Sequence, residues 1–176
     1  IHALGDFALV VPQHAEAIQS NLLVQAAFED PYGFIQTAAA STLFNLTKAH
    51  PTSHGLQLFL KAYSSPSENV RHAVVTSLIA FTNVSGRRQA GRLFSAFSTA
   101  CHDANWEVRK VAVAGLGELV SVAPQHAPSI LKVLAKACED PQEAVRREAV
   151  VALSVLTKVA PQQATRAQEA MQKPLY

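Results

Sequence analysis

The chain has 176 residues, enough to bury a substantial core in one domain or in a short array of repeats. Hydrophobic residues make up 49% of the sequence and charged residues only 16%, a composition that excludes a disordered chain. The net charge is +2, and because no run of about 18 apolar residues occurs, we expect no membrane-spanning helix.

A repeat with a spacing of 35 to 38 residues runs along the chain. Its reference position is held by Ile35, Val70, Val108 and Val145. Eight residues later each unit has a leucine, at Leu43, Leu78, Leu116 and Leu153. Eight residues earlier each unit has an alanine, at Ala27, Ala62, Ala100 and Ala137. A period in this range is typical of stacked helical repeats.

Each unit is predicted to be a pair of helices. Apolar residues recur at i, i+3 or i+4, and i+7 or i+8, which is the spacing of a buried helix face. The first helix of each unit should end at Pro51, Gly86, Pro124 or Pro161, since proline cannot continue the hydrogen-bond ladder. We expect a single domain over 1–176 with an incomplete first unit, and with units at about 1–29, 30–64, 65–102, 103–139 and 140–176.

The ends of the array and two helix starts also carry signals. The chain is expected to begin inside a helix, and the last second helix is the least apolar, as a terminal repeat requires. Ser65-Pro66-Ser67-Glu68 and Asp140-Pro141-Gln142-Glu143 each predict an N-cap, a proline at the first helical position and a capping-box glutamate.

The unit starts resemble those of HEAT repeats, in which an Asp is followed by Val-Arg five and six residues later. Asp103 with Val108-Arg109 and Asp140 with Val145-Arg146 match this pattern fully. Ser65 replaces the Asp of one unit, and Gln36 replaces the Arg of another. The resemblance covers essentially the whole chain and implies an all-α solenoid of stacked antiparallel helix pairs.

The same resemblance implies a structural role for the Asp and Arg residues of this pattern, which would form a hydrogen-bonded ladder between neighbouring units. The ladder residues are Arg71, Arg109 and Arg146 with Asp103 and Asp140. Because Gln36 and Ser65 depart from the pattern, we expect a weaker ladder between the first units.

No catalytic or metal-binding motif is legible in the sequence. The seven histidines are scattered, and His50 and His54 stand on either side of Pro51 rather than on one helix face. Cys101 and Cys138 occupy the same repeat position, so we interpret them as core residues rather than as a metal or redox pair. We therefore expect no enzyme activity, no metal and no cofactor, and a cytoplasmic location, with the nucleus as an alternative compartment.

The second helices carry the most informative surface. The face opposite their apolar side is polar and becomes more basic along the chain, at Gln57, Lys61, Ser64, Ser95, Thr99, His102, Lys132, Lys136 and Glu139. We call the first eight of these residues the second-helix stripe. Helical-repeat proteins bind partners on such extended surfaces, so we expect a non-catalytic scaffold that binds a protein or an extended, acidic peptide.

Two further features leave alternatives open. Trp106 departs from the repeat pattern, either as an exposed contact residue or as a cover for the edge of the neighbouring unit. Residues 1–69 have a net charge of −3 and residues 70–176 a net charge of +5, with Arg87, Arg88 and Arg92 clustered at the expected turn and start of one second helix. Binding of nucleic acid through this basic half is the alternative function.

Overall fold

The computed structural model describes residues 30–49 and 53–172. Three helices come first, α1 Gly33–Ala49, α2 Ser53–Ala62 and α3 Glu68–Ala100. Four more follow, α4 Trp106–Val122, α5 Ala127–Ala137, α6 Glu143–Val159 and α7 Ala164–Gln172. Short 3-10 turns at Pro124–His126 and Pro161–Gln163 lead into α5 and α7. These ranges contain no β-strand, and the predicted fold class, an all-α solenoid of antiparallel helix pairs, is confirmed.

The chain forms two compact units, Ile1–Val84 and Ser85–Tyr176. The described part of unit 1 contains α1, α2 and the first half of α3, and unit 2 contains the rest of α3 and α4 to α7. A single domain over 1–176 and its repeat boundaries stay a prediction. The expectations for the incomplete first repeat, Ala27 and Pro51 fall outside the described residues.

The repeat positions form the core of both units. Val70, Val108 and Val145 are fully buried or nearly so, as are Leu78, Leu116 and Leu153. The alanines at Ala62, Ala100 and Ala137 are also buried, so their small side chains allow the helices to pack closely. Burying one such leucine is worth roughly 1.5–3 kcal/mol relative to leaving it in water. Ile35 is only half-buried, and the side chain of Leu43 lies outside those described.

The break expected at Gly86 is wrong, because α3 runs as one helix of 33 residues from Glu68 to Ala100. Glycine keeps its backbone N–H and costs a helix only about 1 kcal/mol relative to alanine, whereas proline costs about 3 kcal/mol. None of the described glycines has a positive φ. The equivalent Pro124 and Pro161 do end their helices, since each begins a 3-10 turn. Arg87 and Arg88 therefore lie inside a helix and not at a turn.

The predicted helix starts need a similar correction. Helices α3 and α6 begin at Glu68 and Glu143, so Ser65 and Asp140 lie in the preceding turns and are not N-caps. The N-cap of α6 is Gln142, whose side chain makes no capping bond. Prolines in these turns favour an extended or turn conformation before the helix.

Helix α4 has the best-defined start in unit 2. The Asn105 side chain accepts hydrogen bonds from the backbone N–H groups of Glu107 at 2.7 Å and Val108 at 3.4 Å. Asparagine is a preferred N-cap because its oxygen satisfies donors that have no partner within the helix. The sequence analysis missed this cap.

Two glycines of α4 mark close helix contacts in unit 2. A Cβ atom added at Gly115 would overlap the Phe97 ring of α3, lying 2.6 Å from its Cζ atom. One added at Gly117 would lie 3.2 Å from the Cβ of Ala152 in α6. The missing side chains therefore let an aromatic ring on one side and a helix on the other approach the backbone of α4.

Candidate functional site

The same pattern of hydrogen bonds recurs at four junctions that precede first helices. At each junction a side-chain oxygen accepts from the backbone N–H two residues later, at distances of 2.8 to 3.2 Å. The accepting residues are Asp30, Ser65, Asp103 and Asp140. The backbone carbonyl of the same residue accepts from the side chain six residues later, which is Gln36, Arg71, Arg109 or Arg146. Each turn is thus closed by residues of its own junction.

One junction of unit 2 is also tied to the next by a bidentate ion pair. Arg109 donates from Nε to Asp140 Oδ2 at 2.7 Å and from Nη2 to Asp140 Oδ1 at 2.9 Å. Their side chains are 13% and 9% exposed, so solvent screens the pair less than it would a surface pair. Burial alone would raise the pKa of Asp140, but hydrogen bonds from Arg109 and from the Gln142 amide outweigh it and lower that pKa.

A neutral hydrogen bond takes the corresponding place in unit 1. The Ser65 hydroxyl donates to Gln36 Oε1 at 3.4 Å, while the Gln36 amide donates to the Asp30 carbonyl at 2.5 Å. Gln36 occupies the repeat position that Arg109 occupies in unit 2, and Ser65 occupies the repeat position of Asp140. The two departures from the repeat pattern therefore meet at one contact, so neither leaves a charge without its partner.

The remaining ladder residues contact their own turns. Arg71 donates from Nη1 to the carbonyls of Ser65 and Pro66 at 3.0 and 2.9 Å, and Arg146 makes the equivalent bonds to Asp140 and Pro141 at 2.8 and 3.0 Å. Asp103 accepts from the Asn105 amide at 2.9 Å. These charges are engaged in holding the turns and are poorly placed to bind a ligand.

Every residue of the second-helix stripe is exposed. Unit 1 contributes Gln57 and Lys61 on α2 and Ser64 in the following turn. Unit 2 contributes Ser95, Thr99 and His102 at the end of α3, and Lys132 and Lys136 on α5. The opposite side of these helices is fully buried, with Phe59, Leu93, Phe97, Ile130 and Leu134 in the core.

Two stripe residues are held by their own helix. The Thr99 hydroxyl donates to the Ser95 carbonyl at 3.0 Å, and His102 Nδ1 lies 2.9 Å from the Ser98 carbonyl. A histidine whose Nδ1 donates to a carbonyl presents Nε2 outward, and its ring orientation is fixed. These contacts order the stripe at the end of α3.

The continuous α3 brings two sets of residues together that the sequence analysis kept apart. Arg88 and Arg92 are exposed, and they precede Ser95, Thr99 and His102 by successive steps of three or four residues. With 3.6 residues per turn, the first four lie on one face of α3, and His102 follows them in the turn after the helix. Arg87 is also exposed but lies about 100° around the helix from Arg88. The signal missed in the sequence was the i, i+4, i+7 spacing of Arg88, Arg92 and Ser95, which begins after Gly86.

Trp106 lies away from the second-helix stripe. It is the first residue of α4, directly after the Asn105 cap, and its side chain is 38% exposed. Trp106 is thus partly covered by protein and partly open to a partner. Both interpretations of Trp106 therefore remain open.

Unit 2 also has a shallow depression on its first helices that sequence reasoning did not find. Its lining combines charged and small residues, at Lys110, Glu143, Ala144, Arg147, Glu148 and Val151. Arg147 and Glu143 form an exposed ion pair at 2.5 Å. Val151 is 57% exposed. Because its charges are mixed and paired, this surface has no evident preference for one ligand.

Neither cysteine forms a disulfide, and neither shows a sign of reactivity. Cys138 is fully buried, and burial raises the pKa of the Cys101 thiol to about 12, with a further contribution from Asp140. A thiol with so high a pKa stays protonated at neutral pH and is a poor nucleophile or metal ligand. Within residues 30–49 and 53–172, no three His, Cys, Asp or Glu side chains cluster as a metal site would require.

Helix pairs joined by repeated junctions, with a polar face on their second helices, define an all-α helical-repeat protein. Residues 94–174 match the family of HEAT repeats, which confirms the resemblance for that segment. The chain is also similar to the crystal structure of an engineered protein, a target of the Northeast Structural Genomics Consortium. That similarity has a TM-score of 0.56 at 16% identity, over 98% of this chain and 86% of the other, and it concerns the fold alone.

No curated protein matches the sequence. None of the helices in the described ranges is both long and apolar enough to cross a membrane.

Proposed function

We propose that this chain is a non-catalytic scaffold segment that binds a partner protein on the exposed face of its second helices. The observation that supports this most is the strict division of those helices into a buried apolar side and an exposed polar side. Stacked helix pairs present such faces as extended, preformed surfaces, and their rigidity limits the entropy lost on binding.

The arginines at the junctions give a second argument for the same proposal. Arg71, Arg109 and Arg146 are engaged with turn carbonyls or with Asp140, so they stabilise the repeats. The second-helix stripe has no such structural task in unit 2, apart from the local bonds of Thr99 and His102. Exposed polar residues without a structural role are the ones that a binding function would use.

Cysteines that form no disulfide are consistent with a reducing compartment, so we propose the cytoplasm or nucleus as the location.

A site-specific crosslinking experiment tests the proposed surface. The photoreactive amino acid p-benzoylphenylalanine would replace Lys132 on the second helix α5 or, as the matched control, Lys110 on the first helix α4. Both positions are exposed lysines in unit 2. Protein adducts formed in a cell extract at position 132 and not at 110 would support the proposal. Equal adducts at both positions, or adducts at 110 alone, would contradict it.

A further inference from the structure

We propose that Arg88, Arg92, Lys132 and Lys136 form one surface of unit 2, the basic face, and that it binds an extended acidic peptide. This inference rests on the proposed function and assigns a chemistry to its partner. It also moves Arg88 and Arg92 from the alternative nucleic-acid interpretation into the same surface as the second-helix stripe. The physical basis is helical spacing, because Arg88 and Arg92 lie on the same face of α3 as Ser95 and Thr99.

The four side chains are exposed, and none of them has a hydrogen bond or an ion pair within the described part of the chain. Two other arginines of unit 2 are engaged, since Arg109 pairs with Asp140 and Arg147 with Glu143. Like charges on one surface repel each other, so four unpaired cations are stabilised by an anionic ligand.

The helices that carry these residues are neighbours in unit 2. The Phe94 ring of α3 stacks on the His126 ring in the turn before α5, with the ring centres 6.2 Å apart. Phe94 follows Arg92 by two residues, and Lys132 follows His126 by six. The two pairs of cations are therefore presented from adjacent second helices.

The pairs are offset along the helices, so the basic face is diagonal. Measured back from the reference valine of the next repeat, Arg88 and Arg92 stand at −20 and −16, and Lys132 and Lys136 at −13 and −9. The pairs are thus offset by about 10 Å along the helix axes, the whole face spans about 16 Å in that direction from Arg88 to Lys136, and neighbouring helices lie about 10 Å apart. The diagonal is thus roughly 19 Å, which an extended peptide covers with about six residues.

The spacing within each pair also fits an extended peptide. Cations four residues apart on a helix are separated by about 6 Å along the axis. Alternate side chains of an extended strand point to the same side and are about 6.6–6.8 Å apart. Acidic residues two positions apart would therefore meet the two cations of each pair.

The composition of the face favours a peptide over a nucleic acid. Single-stranded nucleic acids are bound by positive grooves in which aromatic side chains stack with the bases. The exposed residues of α3 after Gly86 and of α5 include no aromatic side chain. Phe94 is half-buried, and its ring is already stacked on His126.

The basic face ends at α7. Arg166 and Glu169 occupy the repeat positions of Arg92 and Lys132 in this last helix, and both are exposed. Their opposite charges interrupt the positive surface. A short acidic segment therefore fits better than a long polyanion.

Fluorescence anisotropy with two labelled ten-residue peptides tests this inference. One peptide alternates Glu with Ser, and in the other Gln replaces every Glu. The full 176-residue chain should bind the Glu peptide at low salt and the Gln peptide at least tenfold more weakly, because the carboxylates provide the attraction.

Charge-reversal variants then locate the site. Arg88→Glu with Arg92→Glu, or Lys132→Glu with Lys136→Glu, should each weaken binding of the Glu peptide on the order of tenfold. The matched control is Lys110→Glu with Lys158→Glu, which changes the net charge equally but lies on first helices. The affinity of this control variant for the Glu peptide should stay within about twofold of that of the unmodified chain. Circular dichroism melts establish that all variants fold.

Three results would overturn the inference. The first is that the Glu peptide does not bind at low salt. The second is that the control variant binds the Glu peptide as weakly as the basic-face variants do. Alternatively, a labelled single-stranded oligonucleotide binds the same face more tightly at physiological salt, which would establish the nucleic-acid function instead. Crosslinks at position 132 that persist while the Glu peptide fails would leave the scaffold function standing and remove only the acidic partner.

Discussion

Replacing Gly115 with alanine tests the close contact between α3 and α4. In an exposed helix, glycine to alanine stabilises by about 0.8–1 kcal/mol, because alanine has the higher helix propensity. At Gly115 the added methyl group would lie 2.6 Å from Phe97 Cζ and 2.7 Å from Cδ1, so the ring or the helix must move. Inserting a methyl group into a packed core costs about 1–3 kcal/mol. We therefore expect Gly115→Ala to lower the free energy of unfolding by up to about 2 kcal/mol.

Gly91→Ala is the matched control, because Gly91 is helical and exposed and its added Cβ would meet nothing within 4 Å. It should raise the free energy of unfolding by about 0.5–1 kcal/mol. The propensity gain is shared, so the difference between the two variants measures the packing cost alone. Urea unfolding followed by circular dichroism gives both values.

A third variant identifies the Phe97 ring as the cause. Phe97→Leu removes the ring atoms that the new methyl group would overlap, so adding Gly115→Ala to it should cost less than adding it to the native chain. If Gly115→Ala instead stabilises the protein as much as Gly91→Ala does, the packing of α3 on α4 described above is incorrect.

Other expected outcomes concern the core, the junction and the surface. Leu116→Ala should lower the free energy of unfolding by about 2–5 kcal/mol in urea melts, and a loss below about 1 kcal/mol would contradict the assigned repeat phase. Folding lowers the pKa of Asp140. The Asp140 carboxylate therefore stabilises the folded protein at a pH above the ordinary carboxylate pKa, and this contribution is lost as the pH falls through the pKa of Asp140 in the folded state. Asp140→Asn should therefore be less stable than the native chain at pH 7, and the difference should shrink between pH 5 and 2 in melts. A difference that stays constant over this range would show that the carboxylate charge contributes nothing. Lys132→Glu with Lys136→Glu should shift stability by less than about 0.5 kcal/mol, because both side chains are exposed, and a larger loss would show a structural role.

The sequence predicted the fold class because the buried positions recur with one period. Val108, Leu116 and Leu153 all lie in the core where the repeat placed them. Burial is set by helix geometry and apolar spacing, and both can be read from one sequence. The same repeat phase also predicted which face of the second helices is polar.

The helix boundaries could not be predicted as well, because they depend on small differences in local free energy. Gly86 aligns with prolines that end their helices, yet glycine permits a helix to continue. Arg88 and Arg92 follow Gly86, so their place on the same helix face as Ser95 and Thr99 depends on the helical spacing after this glycine. Likewise, the sequence showed Gln36 and Ser65 as two separate exceptions, and only their 3.4 Å hydrogen bond shows that they are one contact.

The recurring junction pattern also has a consequence for the order of folding during synthesis. Each turn is closed by bonds that span two and six residues, and loops of about this length close in roughly 10–100 ns. A turn can therefore form as soon as its own seven residues have left the ribosome. The Arg109–Asp140 pair joins residues 31 positions apart and must wait for the following repeat to be made. At the usual rate of about 5–20 residues per second, this delay is a few seconds, during which Arg109 can keep its bonds to the Asp103 and Ala104 carbonyls.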